Sequence, residues 1–199
     1  MAAFVLVDTP RPHVALVTLN RPERMNSMAF DVMVPLKAAL DELTHDNDIR
    51  AVVITGAGRG FSSGADHKSA GSVPHVDGLT RPSVGLRSME LLDDVILGMR
   101  KLHQPVIAAV NGAAIGGGLC LALAADIRLA STEAYFRAAG INNGLTASEL
   151  GLSYLLPRAI GSSRAFEIML TGRDVSAEEA ERIGLVSRQV APEELLDTC

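Results

Sequence analysis

Short apolar runs that stop at glycine alternate along this chain with longer stretches of helical period. Residues 4–7 and 14–19 are β-rich and are separated by Pro10-Arg11-Pro12-His13, which predicts a two-stranded hairpin. Over residues 29–43 the apolar positions Phe30, Met33, Val34, Ala38 and Leu43 recur near the helical period, and Pro35 predicts a kink or a start later than Asn26 and Ser27 suggest. Ala51-Val52-Val53-Ile54 and Val106-Ile107-Ala108-Ala109-Val110 read as buried strands, each running into glycine through Thr55-Gly56 and Asn111-Gly112. Between them lie a polar loop at 69–83, punctuated by Gly71, Pro74, Gly78 and Pro82, and a helical pattern at 84–102. Residues 126–129 predict another strand, after which the pattern is mainly helical. Ser176-Ala177-Glu178-Glu179 is a capping box for a helix running to Arg182 and stopped at Gly184, and Pro192-Glu193-Glu194 opens one more. Strands alternating with helices predict an α/β fold with a mostly parallel sheet, whose ligands bind beyond the carboxyl ends of its strands.

Composition narrows the function classes. With 199 residues, 48% of them hydrophobic, and a net charge of -5, the chain supports one main domain with a substantial core. Its 18 Lys and Arg are scattered against 23 Asp and Glu with no basic block, so no nucleic-acid partner is expected. No apolar stretch approaches a membrane span, and the first residues lack a secretory pattern, so neither a membrane nor export is expected. Cys120 and Cys199 form no paired or metal-ligand spacing, which predicts a reducing cytoplasm and no metal. With 4% aromatic residues and no Trp, a stacking platform for a ring is hard to build, so the ligand must be held by backbone and aliphatic groups.

Two loops carry the candidate chemistry. In Arg59-Gly60-Phe61-Ser62-Ser63-Gly64-Ala65-Asp66, small residues admit a ligand close to the backbone, before an expected helix with unpaired first-turn N–H groups. Asn111-Gly112-Ala113-Ala114-Ile115-Gly116-Gly117-Gly118-Leu119-Cys120 leads from a strand through three glycines into an apolar helix, whose positive end faces the same region. One such run alone reads as a tight turn. Two runs after consecutive core strands read as paired donors of an oxyanion hole.

These residues also resemble a known family. Gly60-Phe61-Ser62-Ser63-Gly64-Ala65-Asp66 is similar to the first loop of the crotonase (enoyl-CoA hydratase/isomerase) family, and the run from Gln104 through Gly118 resembles that family's most specific motif. Leu19-Asn20-Arg21-Pro22 with Asn26, Asp126-Ile127-Arg128-Leu129-Ala130, Leu170-Thr171-Gly172 and Ala180-Glu181-Arg182-Ile183-Gly184-Leu185-Val186 match in the family's order. The resemblance implies a crotonase-like spiral of ββα units, with a core spiral over about 1–150 and a helical part over about 151–199, in a single domain that stops short of the family's C-terminal helices. It implies an acyl-CoA thioester of lipid metabolism as substrate, coenzyme A being part of that substrate and no separate cofactor being needed. It places the enolate on the N–H groups of Ala65 and Gly117, puts Ser63, Ala65, Asp66, His67, Lys68, Gly116 and Gly117 on the CoA site, and implies trimers or pairs of trimers. Arg24 reads either as a partner of a CoA phosphate or as a solvated charge.

The hydratase pattern is broken at two places. Cys120 and Gly140 stand where the typical hydratase has its two glutamates, and Cys120, inside an apolar helix, reads as a small core residue. Glu149, in Gly144-Leu145-Thr146-Ala147-Ser148-Glu149-Leu150-Gly151, lies where related isomerases supply an acidic residue. It reads either as the acid–base group or as a solvated residue with Ser148 at a helix start. Asp66 reads as a turn and cap residue before it reads as a base, and His67 and His103 read as structural. Two functions therefore stand: an enzyme that moves protons by isomerisation or hydration, and an acyl-CoA binder without catalysis.

Overall fold

The computed structural model describes residues 3–146 and 149–199. Strands β1 (Val5–Arg11) and β2 (Val14–Leu19) form the antiparallel hairpin, with Val5 opposite Leu19 and Arg11 opposite Val14. In β2, Ala15, Val17 and Leu19 alternate inward and are buried, the period of a strand with one face on a core. Helix α1 (Phe30–His45) then crosses to β3 (Ala51–Gly56), which pairs parallel with β2. The helix runs through Pro35 without a break and buries Val32, Met33, Leu36, Ala39, Leu40 and Leu43. Its core face is therefore rotated from the one predicted: Ala38 is exposed and Leu36 takes the inward position.

From β3 onward the chain repeats one unit: a strand in a large sheet, a short strand in a second sheet, then a helix. β3 leads to β4 (Gly60–Ser62) and α2 (Arg81–Lys101); β5 (Val106–Val110) to β6 (Ala113–Ile115) and α3 (Gly117–Ala124); β7 (Ile127–Ser131) to β8 (Tyr135–Arg137) and α4 (Leu152–Ile160). Helix α5 (Ser162–Thr171), β9 (Asp174–Ser176), α6 (Ala177–Arg182), β10 (Arg188–Val190) and α7 (Leu195–Thr198) complete the chain. The large sheet has the order β1-β2-β3-β5-β7-β10 and is parallel from β2 on; the second has the order β4-β6-β8-β9, antiparallel only between β8 and β9. This succession is the crotonase-type spiral of ββα units, with a helical C-terminal part.

Two expectations need correction. The region after β7 is less purely helical than predicted, because β8, β9 and β10 are strands of three residues each. The first glycine loop does not open a helix: residues 67–80 intervene before α2, whose first turn is capped by Thr80 Oγ1 accepting from Ser83 N. The capping box at Ser176 forms, with Ser176 Oγ accepting from Glu179 N.

The main core lies where α1, α3 and the C-terminal turns of α2 cover the large sheet. Residues 118–124 of α3 are all buried, so this helix is apolar on every side. A smaller cluster of Val53, Ala109 and Leu129 with Leu195 occupies the opposite face of the sheet. Among the described residues no helix is long and apolar enough to cross a membrane.

Candidate active site

The ββα repeat brings both glycine loops to one place. Segment 21–28, just before α1, cradles the first loop: Ser63 N donates to Met25 O (2.9 Å), Met28 N to Gly64 O (2.7 Å) and Ser62 Oγ to Asn26 O (2.8 Å). Gly64 has φ +80, and a Cβ there would stand 2.6 Å from Ile115 O and 3.1 Å from Gly117 N. The two loops thus touch through a position that only glycine fits. Gly117 is the first residue of α3, so its N–H has no partner within the helix. Among the described residues, neither Ala65 N nor Gly117 N has an acceptor in the chain.

Ala65 and Gly117 both line a cavity of about 210 Å³. Its walls are largely apolar, supplied by Met28, Met89, Leu92, Leu145, Leu150 and Leu152, and its polar lining includes Ser63, His67, Asn143 and Glu149. Gly116, Gly140 and Cys120 complete the wall around the amides. A larger cavity of about 580 Å³, between α2 and α4, lies elsewhere and is lined by none of these residues. Among the described residues no group of three or more His, Cys, Asp or Glu could hold a metal ion.

Glu149 opens a 3-10 turn before α4, and Leu150, with φ 52, is a buried leucine in the left-handed region. That backbone buries Leu150 while leaving Glu149 on the cavity wall, a strained conformation of the kind that collects at functional sites. Thr146 Oγ1 donates to Glu149 Oε1 at 3.2 Å. Ser148, the proposed helix start, lies outside the described residues. Among the described residues Glu149 is the one carboxylate lining this cavity. Cys120 is buried, and burial first, with the charge of Glu149 second, pushes its thiol up to about 12. It is thus a neutral thiol at physiological pH and not a nucleophile.

The other residues singled out from the sequence divide between the cavity and a buried ion cluster. His67 and Lys68 are exposed, His67 on the cavity lining, and Ser63 is half-buried with Oγ 3.5 Å from Arg24 O. Asp66 turns its carboxylate away from the cavity to Arg21 Nη1 (2.8 Å) and Arg24 Nη2 (3.1 Å). Arg24 is therefore not a simply solvated charge. Burial alone would raise the Asp66 pKa, but hydrogen bonds from Ser69 N, Lys68 N, Arg21 and Ser27 hold it well below the usual carboxylate range. His103 is exposed and away from the cavity. Sequence reasoning gave no role to Arg21, whose partner is 45 positions away, or to Asn143 and Leu145, whose wall positions depend on a loop with no periodic pattern.

The spiral and the pair of glycine loops at its strand ends define a crotonase-type protein. A family model for enoyl-CoA hydratase/isomerase matches residues 10–199. A probable enoyl-CoA hydratase, EchA12, of Mycobacterium tuberculosis is 82% identical over 197 residues, covering 99% of this chain and 69% of that protein. The crystal structure of a probable enoyl-CoA hydratase/isomerase from Mycobacterium abscessus is 73% identical with a TM-score of 0.95, over 100% of this chain and 73% of that one. That of a monofunctional enoyl CoA isomerase from M. smegmatis is 68% identical with a TM-score of 0.83, over 100% of this chain and 82% of that one. The chain belongs to the enoyl-CoA hydratase/isomerase (crotonase) family of enzymes.

Proposed function

We propose that the protein isomerises 3-enoyl-CoA thioesters to 2-enoyl-CoA thioesters, with Glu149 as its acid–base group and the N–H groups of Ala65 and Gly117 as its oxyanion hole. One observation carries this reading: both amides and, among the described residues, a single carboxylate line the same apolar cavity. Isomerisation needs one such group. The Glu149 carboxylate takes a proton from C2, and the electron pair moves onto the thioester oxygen between the two amides. The same group then returns the proton at C4, and the double bond moves from C3–C4 to C2–C3. No atom is gained or lost. Each amide contributes only while the oxyanion exists, and a donor so placed is worth roughly 3 kcal/mol of transition-state stabilisation.

Hydration is more demanding, since water must be oriented at one carbon while a proton is delivered to the other. Residues 120 and 140, a thiol and a glycine, offer no carboxylate for that second role. The similarity to a monofunctional isomerase points the same way, whereas the name of the M. tuberculosis relative points to hydration. Coenzyme A enters as part of the substrate, its pantetheine running past Ser63, Ala65, His67 and Gly116 toward Lys68. Arg24, with about a third of its side chain exposed beside Asp66, keeps donors that are free among the described residues for a phosphate. Exposed Phe166, Leu170 and Tyr154 support association into the family's trimers or hexamers.

Turnover of 3-hexenoyl-CoA and of crotonyl-CoA tests the reading. Conversion of the first to a conjugated enoyl thioester, with hydration of the second far slower, is the expected result. Efficient hydration of crotonyl-CoA without isomerisation overturns it. Tight binding with turnover of neither assigns a non-catalytic acyl-CoA binder.

A further inference from the structure

Next to the first loop, outside the cavity, the chain buries a cluster of charges to which the proton transfer above gives no part. The Asp66 side chain is 3% exposed and that of Arg21 10%. Arg21 Nη1 (2.8 Å) and Ser27 Oγ (3.2 Å) donate to Asp66 Oδ2; Lys68 N (3.0 Å), Ser69 N (2.8 Å) and Arg24 Nη2 (3.1 Å) donate to Oδ1. The Arg21 guanidinium also lies 5.5 Å from the centroid of the Phe4 ring, within cation–π range. A buried ion pair is weak evidence of stability, because desolvation of the two charges consumes much of their attraction. What such a pair does supply is a defined geometry.

That geometry bears directly on Ala65. Among the described residues its N–H has no acceptor in the chain, which leaves it directed by the backbone around it. The peptide that carries this N–H is held through its own carbonyl, Gly64 O accepting from Met28 N at 2.7 Å, and the following peptide is held by Asp66 N donating to Met28 O at 3.4 Å. The second of these bonds is long, so the main chain alone holds the downstream side loosely. The Asp66 carboxylate makes up the difference, joining the 21–27 segment on one side to the 68–69 turn on the other. We infer that Asp66, clamped by Arg21, is a positioning residue that aims the Ala65 N–H at the substrate oxygen. This rests on the isomerase reading above. Arg21 also balances charge, because an uncompensated carboxylate one residue from a developing oxyanion would oppose it, and the guanidinium removes that opposition.

The experiment compares wild type, Asp66→Asn, Ser27→Ala, Arg21→Gln and the Arg21→Gln/Asp66→Asn double variant. It reads kcat and KM on 3-hexenoyl-CoA and the ultraviolet absorption of enolised acetoacetyl-CoA bound at the site. Asp66→Asn is expected to lower kcat about tenfold with KM within about twofold and to weaken the enolate band, as misplacement of a transition-state donor does. Ser27→Ala, which removes one contact, lowers kcat about twofold to threefold. Arg21→Gln is worse than Asp66→Asn, and the double variant returns to the Asp66→Asn level, because the unbalanced charge has gone. Folded Asp66→Asn with wild-type kcat and enolate band overturns the inference, as does a rise in KM alone. If Asp66→Asn does not fold, Ser27→Ala decides: wild-type kcat and enolate band overturn the inference and a loss of both supports it. Wild type with neither turnover nor an enolate band sinks the isomerase reading and this inference together; an active wild type matched by its variants sinks this inference alone.

Discussion

The thiol of Cys120 donates to the main-chain oxygen of Glu149 across 3.6 Å, tying α3 to the turn that carries the carboxylate. The two residues thus share one wall of the cavity, yet their chemistry is opposite. Cys120 is a buried donor to that main chain, whereas Glu149 is the group to which the proposed reaction assigns proton transfer.

Glu149→Gln keeps the shape of the side chain and its acceptor for Thr146 but removes the base. Turnover of a 3-enoyl-CoA should fall by about a hundredfold or more. Binding of acetoacetyl-CoA, measured by calorimetry, should stay within a few-fold. Full activity in this variant would move the acid–base role elsewhere.

Cys120 should be chemically quiet in the folded protein. With its thiol pushed up to about 12, alkylation by iodoacetamide at pH 8 should be slow in the native state and fast in urea, read by mass spectrometry of the peptide around residue 120. Cys120→Ala should leave kcat within about twofold or threefold of wild type, since it removes a neutral donor to a main-chain oxygen and no reacting group. Loss of most activity would give the thiol a part in the chemistry.

How far the sequence discloses this depends on the range of each interaction. β3 and β5 are legible because an uninterrupted apolar run ending in glycine is a local pattern, and the hairpin and the Ser176 cap are local too. β8, β9 and β10, at three residues each, are too short to show a period and exist through their neighbours. The predicted helix after the first loop fails because Asp66 spends its carboxylate on Arg21 and on a local turn, not on a helix N-terminus. Glu149 is visible as a carboxylate among polar residues, but its place on the cavity wall follows from Leu150 at φ 52, which no leucine adopts by local preference.

Neighbouring glycines in the second loop should fail in different ways. At Gly117, the first position of α3, proline is compatible with a helix start, and a Cβ meets chiefly the mobile end of Met28. Gly117→Pro should therefore fold, by circular dichroism, while removing one oxyanion donor and lowering kcat by roughly a hundredfold or more. At Gly118 a Cβ would overlap the main-chain oxygen of Ser62, which cannot step aside. Gly118→Ala should lose about 1–3 kcal/mol of stability, read as a lower urea midpoint. A folded, fully active Gly117→Pro would remove that amide from the oxyanion hole.

The Asp66 cluster predicts a particular acid limb in the stability profile. The folded carboxyl is held well below its usual range, whereas an unfolded aspartate titrates near pH 3.9. Above that value the carboxylate is ionised in both states and its full contribution is present. As pH falls below about 4 the unfolded state takes up the proton first, so stability drains progressively toward the folded value. Urea midpoints of wild type should therefore drop between pH 5 and pH 3 more steeply than those of Asp66→Asn, which has no proton to take up at this position. The two curves should converge at low pH, with the wild-type advantage largest above pH 5. Parallel curves across that window would mean that the cluster does not hold Asp66 ionised in the fold.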